Sequence, residues 1–352
     1  MGEPWMVYGA YGYTGRLILE QAIAAGYKPV VAGRDPARTE SVALEFGLPH
    51  RSFELSDTQA LRRGLEGMRA VLHCAGPFSQ TAAPMIAACL QVGTHYLDIT
   101  GEIDVFAYAH ANDSAARKHG VALVPGVGFD VVPTDCLAAM LREDLPDANE
   151  LLLAFDAEGG PSRGTALTGI EGLGKGGRIR RDGELIRVPL GYKRREINFP
   201  RGSRQCVTIP WGDVYTAFVS TGIQNIEVYM AMPPRTITNL RRLRWLTPLL
   251  GLAPVQWLLK RRVEASVQGP SEQRRGECHA YVYGEVRNPR GDVRAATLTT
   301  PNGYTLTAMS ALRIARFLAT DIGPHAGFYT PSLLMGSNFV RKLKGVEYAR
   351  VR

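Results

Sequence analysis

The sequence predicts an α/β protein with a doubly wound parallel sheet and an inserted α+β domain. Apolar runs alternate with helical segments through about the first 125 residues. A glycine-rich turn at residues 9–15 joins the first apolar run to the first helix. After about residue 148 the pattern changes to longer strands joined by hairpins. Strands that alternate with helices of ten or more residues pair in parallel through right-handed crossovers.

The first part of the chain is predicted to contain six strands and five helices. The strands are expected at 5–10, 28–34, 51–55, 69–76, 95–101 and 121–126. The helices are expected at 14–26, 37–47, 58–65, 82–93 and 104–120. Six parallel strands in this alternation are typical of a Rossmann nucleotide-binding domain.

The rest of the chain predicts a mixed or antiparallel sheet of the kind that binds substrate and forms dimers. Strands are expected at 150–160 and 224–233, an Asp-Gly turn at 182–183, and a hairpin over 280–301 that turns at 288–292. Helical segments are expected at 164–177 and, with an apolar face, at 304–321.

Composition sets limits on the function. The 352 residues, of which 45% are hydrophobic and 21% charged, describe a globular protein of about two domains. Five dispersed cysteines without a C-x-x-C pair, and scattered histidines, argue against disulfides and a metal site. The net charge of +8 comes without a nucleic-acid-binding module, so nucleic acid is not expected as a partner. No signal peptide is evident, and we expect a cytoplasmic protein.

The glycine run "YGAYGYTG" predicts a dinucleotide site at the first strand-to-helix turn. Gly9 allows the tight turn, Gly12 lets the backbone approach a pyrophosphate, and Gly15 lets the helix pack on the strand. Thr14 can bond a phosphate or cap the helix. The G-x-x-G-x-x-G spacing is associated with NADP. The alternative is a turn kept by a fold that has lost its cofactor.

The end of the second strand favours NADP over NAD. An NAD site carries an acidic residue there for the ribose hydroxyl, whereas this chain reads "AGRDPAR" and places Arg34 at that point. A guanidinium can pair with a 2′-phosphate and stack on adenine. Asp35 follows directly, and a shift of one residue would turn it toward the ribose instead.

Four further stretches carry a family resemblance: "AVLHCAGPFSQ", "GTHYLDITGE", "VPGVGFDVVPTD" and "GFYTPSLLMG". With the glycine run, the chain resembles the saccharopine dehydrogenase-like oxidoreductases, and among them the branch of trans-acting enoyl reductases. The resemblance implies an NADP-dependent oxidoreductase in which the helix after residue 303 returns to the nucleotide-binding domain. That domain would then hold residues 1–133 and 304–352, and the substrate and dimerisation domain residues 134–303.

These patterns and the resemblance together give the candidate site. The cofactor-binding residues are predicted to be Gly9, Tyr11, Gly12, Tyr13, Thr14, Gly15, Arg34, Ala75, Gly76, Pro77 and Gly126. The candidate proton donors are Glu102, Asp130 and Tyr329. Asp98 is either a site residue or a buried acid that holds the next loop.

Three functions remain open on the sequence. In the first, NADPH reduces a conjugated C=C of a hydrophobic acyl or polyketide-like substrate. In the second, a C–N bond is reduced as in saccharopine chemistry, and Arg163, Lys175 and Arg178 hold a charged substrate. In the third, the fold serves as a scaffold on a membrane surface. We expect a homodimer.

The third alternative depends on residues 240–262. Cationic side chains flank an apolar stretch from Trp245 to Leu259 that Pro248 and Pro254 interrupt, which is too short to span a bilayer. The segment suits a peripheral membrane contact, and equally a lid over an apolar substrate or a dimer contact.

Overall fold

The structure, a computed structural model, describes residues 4–321 and 323–352. Residues 1–3 and 322, which the prediction assigns to the nucleotide-binding domain, lie outside the described residues. The chain divides into two compact units, one of residues 1–132 and 304–335 and the other of residues 133–303 and 336–352. The C-terminal residues 336–352, which we expected in the nucleotide-binding domain, thus belong to the second unit.

The described residues form sixteen strands, fifteen α-helices and two short 3₁₀ helices. The strands are β1 Trp5–Tyr8, β2 Val30–Gly33, β3 His50–Ser52, β4 Ala70–His73, β5 His95–Asp98, β6 Ala122–Val124, β7 Glu150–Ala157, β8 Gly177–Arg181, β9 Glu184–Val188, β10 Arg194–Phe199, β11 Gly202–Thr208, β12 Asn225–Ala231, β13 His279–Arg287, β14 Val293–Pro301, β15 Gly327–Phe328 and β16 Glu347–Arg350. The helices are α1 Tyr13–Ala24, α2 Pro36–Phe46, α3 Thr58–Leu65, α4 Phe78–Val92, α5 Ile103–Ala111, α6 Asp113–His119, α7 Val132–Asp144, α8 Arg163–Leu173, α9 Asp213–Thr221, α10 Pro234–Leu243, α11 Thr247–Leu250, α12 Ala253–Ser266, α13 Glu272–Glu277, α14 Gly303–Thr320 and α15 Pro331–Met335. The 3₁₀ helices span Arg244–Leu246 and Ser337–Lys342.

The first unit contains a parallel sheet in the order β15-β6-β5-β4-β1-β2-β3 among its described residues. Strands β2 and β3 are added on one side of β1, and β4, β5 and β6 on the other, so the strand order reverses between β1 and β4. Doubly wound folds bind their ligands at this switch point. Strands β1, β2, β4 and β5 are buried along their whole length, as helices on both sides of a parallel sheet require. The predicted Rossmann sheet is confirmed.

The register of the central strands brings their carboxyl ends level. Tyr8 pairs with Ala32 on one side and with His73 on the other, and His73 pairs in turn with Asp98. The loops that leave β1, β2, β4 and β5 therefore start at one edge of the sheet. The glycine run, Arg34, the Ala75–Pro77 loop and Glu102 all lie in these loops.

One predicted helix of the first unit is two helices. The segment expected as a single helix over 104–120 breaks at Asn112 between α5 and α6. The Asn112 side chain donates a hydrogen bond to the carbonyl of Tyr108, 2.8 Å away, and so bonds a carbonyl at the end of α5. Asparagine competes with the helical backbone in this way and favours helix ends.

The second unit contains the predicted mixed sheet. Its described strands form the order β10-β11-β12-β7-β13-β14-β16, and β8 joins the side of β12 with β9 paired to it. The hairpins at 182–183 and 288–292 are where the sequence predicts them. Strand β16 pairs antiparallel with β14, which is why residues 336–352 belong to this unit.

Candidate functional site

The glycine run has the backbone geometry of a phosphate-binding loop. Gly9 has φ +80°, and a Cβ atom there would lie 2.8 Å from the backbone nitrogen of Ala75. A Cβ atom on Gly15 would lie 2.5 Å from the carbonyl oxygen of Gly9. These two positions are glycine because the chain itself leaves no room, which is the packing role that the sequence predicts for Gly15.

Gly12 is different, because little of the protein excludes a side chain there. A Cβ atom would meet just the carbonyl oxygen of Gly9, at 3.1 Å, among the described residues within 4 Å. The remaining space beside Gly12 is open at the amino end of α1. A cradle that a Cβ atom would fill is what the approach of a pyrophosphate requires.

The amino end of α1 is suited to an external anion. Gly12 is the N-cap residue, it offers no side-chain hydrogen bond, and the first turn contains no acidic residue. Thr14 is half-buried in this turn, and Tyr13 packs edge-to-face on Tyr304 with the ring centres 5.0 Å apart. The first backbone N–H groups of a helix carry a partial positive charge that attracts phosphate.

At the end of β2, the side chain of Asp35 caps the helix that follows. Its carboxylate is the N-cap of α2 and accepts the backbone N–H of Arg38 at 3.1 Å, with Pro36 in the first turn. Arg34, by contrast, is exposed. The alternative in which Asp35 turns toward the ribose would have to give up this cap. The geometry favours Arg34 as the residue that faces a 2′-phosphate.

Tyr11 and Arg38 complete this corner. The Tyr11 ring packs over Gly33, where a Cβ atom would come within 2.4 Å of it, and the Cζ atom of Arg38 lies 4.3 Å from the ring centre. Tyr11 was predicted to bind the cofactor, and Arg38 was not. The signal for Arg38 was its position in the same "GRDPAR" stretch, one turn of α2 beyond Arg34.

Hydrogen bonds of Thr81, which also contacts His73, hold the loop after β4 in place. The Thr81 hydroxyl lies 2.8 Å from the carbonyl oxygen of Ala75 and 2.9 Å from Nε2 of His73. Burial lowers the pKa of His73 to about 3, so its ring is neutral at neutral pH. The Gly76–Pro77 peptide bond is cis. Ala75 thus presents its backbone directly beside Gly9, as the predicted wall next to the cofactor requires.

Glu102 caps the helix that follows this loop. Its carboxylate oxygens accept the backbone N–H groups of Phe78 and Ser79 at 3.1 and 3.0 Å, at the start of α4. A carboxylate at a helix amino end is stabilised in its ionised form. Glu102 therefore links the loop after β5 to the loop after β4.

Asp98 is a buried acid that holds two loops. It accepts hydrogen bonds from the Tyr96 hydroxyl at 2.6 Å and from the backbone N–H groups of Thr100 and Gly126 at 3.0 and 2.8 Å. Burial, opposed by these hydrogen bonds, raises its pKa to about 6. The structure favours the second alternative for Asp98. Gly126, a predicted cofactor residue, is buried and bound to this acid.

Asp130 lies in the loop after β6 and is half-buried. Its side chain packs against Gly101 of the neighbouring loop, where a Cβ atom would be 2.9 Å from Oδ2. Burial raises the pKa of Asp130 to about 7. A carboxyl with this pKa holds a proton for part of the time at neutral pH, which is the requirement for a general acid.

Tyr329 follows β15, and its hydroxyl turns back along the chain. It donates a hydrogen bond to the carbonyl of Ala326 at 3.3 Å, on the amino side of the strand. The hydroxyl is thus directed away from the carboxyl edge of the sheet. The structure brings Glu102 and Asp130 to the edge that carries the glycine run, but it does not bring the Tyr329 hydroxyl there.

The first unit is similar to known proteins. Residues 5–124 match the family model of the saccharopine dehydrogenase NADP binding domain. A putative trans-acting enoyl reductase of Mycobacterium tuberculosis is 33% identical over 190 residues, which cover 48% of this chain and 43% of the relative. A saccharopine dehydrogenase-like oxidoreductase of Mus musculus is 31% identical over 189 residues, 48% of this chain and 42% of the relative. The chain thus spans less than half the length of these relatives.

The fold has a solved counterpart. The apo saccharopine dehydrogenase (L-Glu forming) of Saccharomyces cerevisiae superimposes with a TM-score of 0.68 over 100% of both chains, at 12% identity. At this identity the likeness concerns the fold alone.

Proposed function

We propose that this chain is an NADP-dependent oxidoreductase, since residues 5–124 match the family model of the saccharopine dehydrogenase NADP binding domain. We place the reaction at a conjugated C=C bond of a hydrophobic acyl or polyketide-like substrate. The observation that carries the cofactor assignment is the cradle at Gly12, together with the Asp35 cap that leaves Arg34 exposed at the end of β2.

The residues of the first unit fit NADPH by their chemistry. The backbone of 9–12 and the amino end of α1 would hold the pyrophosphate, with Thr14 beside it. Arg34 would pair with the 2′-phosphate, and Tyr11 with Arg38 would flank the adenine end. Ala75, Gly76 and Pro77 would form the wall on the other side of the loop. NADPH, when bound, supplies the hydride.

Asp130 is our candidate for the proton that completes the reduction. Among the three predicted donors it combines a half-buried place beside Gly101, at the carboxyl edge of the sheet, with a raised pKa of about 7. Glu102 is engaged as a cap of α4, and the Tyr329 hydroxyl donates to the carbonyl of Ala326. We therefore assign proton delivery to Asp130 and a positioning role to Glu102.

The choice of a C=C bond rests on two supports. The enoyl reductase named above is among the relatives, and two of the three cations predicted to hold a charged substrate donate hydrogen bonds to backbone carbonyls. Arg163 donates to the carbonyl of Val267 at 3.3 Å, and Arg178 donates to the carbonyls of Lys175 and Gly177 at 2.9 and 3.1 Å. Imine reduction of an amino acid, with a relative named for saccharopine dehydrogenase, is the second candidate.

Oxidation of NADPH tests the proposal. The purified chain is given NADPH with enoyl thioesters, or with pairs of an amino acid and a keto acid, and the loss of absorbance is followed. Turnover with the thioesters supports the first candidate, and turnover with the amino acid pairs alone would replace it by the second. Tight binding of NADH without binding of NADPH would refute the cofactor assignment. A homodimer and a cytoplasmic location stay predictions.

A further inference from the structure

The second unit exposes large apolar side chains in one segment. Of the eleven exposed large apolar residues in the described chain, seven lie between residues 243 and 258. They are Leu243, Trp245, Leu246, Leu249, Leu252, Trp257 and Leu258. Trp245 is 77% exposed and Trp257 57% exposed. An apolar surface of this kind is uncommon on a monomer unless something covers it.

Helix α12 is held so that these side chains face outward. Gln256 donates to the carbonyl of Ile170 at 2.9 Å, and Lys260, one turn later, pairs with Glu171 at 2.5 Å. These contacts fix one face of α12 on α8. Leu258 lies on the opposite side of the helix and Trp257 on its flank, and both are exposed. The polar contacts within the protein therefore hold the tryptophan in solvent.

A second contact anchors the turn before α12. A Cβ atom on Gly174, at the end of α8, would come within 2.6 Å of the Cα atom of Gly251. Two glycines thus let the backbones touch, and the exposed segment is attached to the unit at both Gly251 and Lys260. The outward position of the apolar side chains follows from specific packing.

A basic cavity lies next to the apolar surface. It measures about 370 Å³ and is lined by Arg194, Thr238, Arg241, Arg242, Arg244 and Trp245. None of these four arginines forms an ion pair with an acid of residues 4–321 or 323–352. Guanidinium groups without acidic partners are suited to bind phosphate through paired hydrogen bonds.

The charge of the segment selects its partner. Residues 234–266 carry seven cationic side chains and one acid, Glu264. A second copy of the chain placed on this surface by two-fold symmetry would bring like charges together, which opposes such a dimer. An anionic lipid surface offers phosphate groups for the arginines and an apolar layer for the tryptophans. No helix in the described part of the chain is long and apolar enough to cross a bilayer.

We propose that residues 234–266 dock the protein on the surface of an anionic bilayer. Lipid headgroup phosphates enter the cavity between Arg194 and Arg244, while Trp245, Leu249, Trp257 and Leu258 insert at the boundary between headgroups and acyl chains. The attachment is peripheral, and anionic lipid and salt control it. This inference stands apart from the proposed reductase activity, since the segment and its cavity belong to the second unit.

Co-sedimentation with vesicles tests the docking. The full chain is mixed with vesicles of phosphatidylcholine, with or without phosphatidylglycerol, at low and high salt. We expect binding to the anionic vesicles that falls at high salt, because screened charges attract weakly. Soluble glycerol phosphate in excess separates the two sources of phosphate: failure to displace the protein supports a bilayer. Full displacement would overturn the proposal in favour of a free phosphate ligand.

Matched variants locate the site. Arg241→Gln with Arg244→Gln removes two cavity arginines, and Arg62→Gln with Arg63→Gln removes two exposed ones from α3 as the control. About a tenfold or greater loss of vesicle affinity is expected for the first pair and little for the second. Trp245→Ala with Trp257→Ala should weaken binding likewise, while Leu44→Ala, at an equally exposed position of α2, should not.

Three further results would overturn the proposal. They are no sedimentation of the wild type with anionic vesicles at low salt, equal losses in the two arginine pairs, and a change from dimer to monomer in the tryptophan variant. The last result, read from sedimentation velocity without lipid, would assign the surface to a second copy of the chain. Thermal unfolding of each variant shows that it is folded, which these exposed substitutions should permit.

Discussion

The guanidinium of Arg38 stacks on the ring of Tyr11, with its Cζ atom 4.3 Å from the ring centre. The pair stands at the end of β2, beside the exposed Arg34 and next to the glycine run. A planar cation against an aromatic ring keeps its hydrogen-bond donors fixed in direction. The corner is therefore arranged before any ligand arrives.

Replacing Arg34 and Arg38 by alanine should weaken NADPH binding far more than NADH binding. Hydrogen bonds to a charged phosphate contribute about 1.5–3 kcal/mol, so we expect a fall of about 10- to 100-fold in NADPH affinity. Fluorescence titration with both nucleotides measures it, with Arg63→Ala as the control for lost surface charge. An equal fall for NADH would show that these arginines do not face the 2′-phosphate.

Gly9→Ala and Gly12→Ala should separate folding from binding. Gly9 has a positive φ and no room for a Cβ atom, so alanine there should lower the free energy of unfolding by about 1–3 kcal/mol. Alanine at Gly12 meets a single contact at 3.1 Å and should leave the melting temperature almost unchanged. Its methyl group fills the cradle, however, and NADPH binding should be lost. A Gly12→Ala protein that binds NADPH normally would contradict the phosphate site.

Glu102→Ala and Asp57→Ala remove two comparable helix caps. Glu102 accepts two backbone N–H groups of α4, and Asp57 accepts those of Gln59 and Ala60 in α3 at 3.0 and 2.9 Å. Each loss should cost about 1 kcal/mol in the free energy of unfolding. Only the Glu102 variant should also weaken NADPH binding, because α4 starts at the Ala75–Pro77 loop. If both variants bind NADPH alike, Glu102 has no positioning role.

Asp130→Asn should change the pH dependence of stability and of rate. The folded pKa of about 7 lies above the ordinary value of 3.8, so Asp130 favours folding below pH 3.8 and loses this contribution as pH rises to about 7. The free energy of unfolding falls by at most about 4 kcal/mol, since each pKa unit corresponds to 1.36 kcal/mol. The asparagine variant should therefore gain stability relative to the wild type between pH 4 and pH 8, in denaturant titrations.

The same substitution tests proton delivery. The wild-type kcat/KM should fall above about pH 7 as Asp130 loses its proton, and the variant should lose about 10²- to 10⁴-fold in rate together with this pH limb. NADPH affinity should stay unchanged. A variant with normal turnover and an unchanged pH profile would assign the proton to another group.

The features that the sequence predicts well are local ones. The glycine run follows a buried strand and opens a helix, so neighbouring residues alone define its geometry. The closing contact between Gly9 and Ala75 involves strands that lie far apart in the chain but are adjacent in the sheet. The alternation of strands and helices predicts that adjacency, so both loops are predicted to lie in one site.

Other contacts could not be predicted because the two partners lie far apart in the sequence and no residue pattern marks them as partners. Glu102 was predicted as a proton donor, yet its carboxylate reaches backbone N–H groups 24 and 23 residues earlier, which no side-chain pattern records. Strands β10 and β11 were missed, since β10 alternates exposed and buried residues rather than forming an apolar run. Strand β16 was missed because its partner, β14, pairs with it without a hairpin signal.

The strand β15 at the edge of the parallel sheet has a consequence for biosynthesis. Gly327 pairs with Ala122, so residues 133–303 of the second unit leave the ribosome between the two. The nucleotide-binding unit therefore cannot complete its sheet while that stretch is being translated, although its glycine run is made first. The entropy cost of bringing two strands together grows only slowly with the number of residues between them, but a long separation slows folding. Nascent chains stalled before residue 327 should be cut by protease in the first unit, and chains released after it should resist.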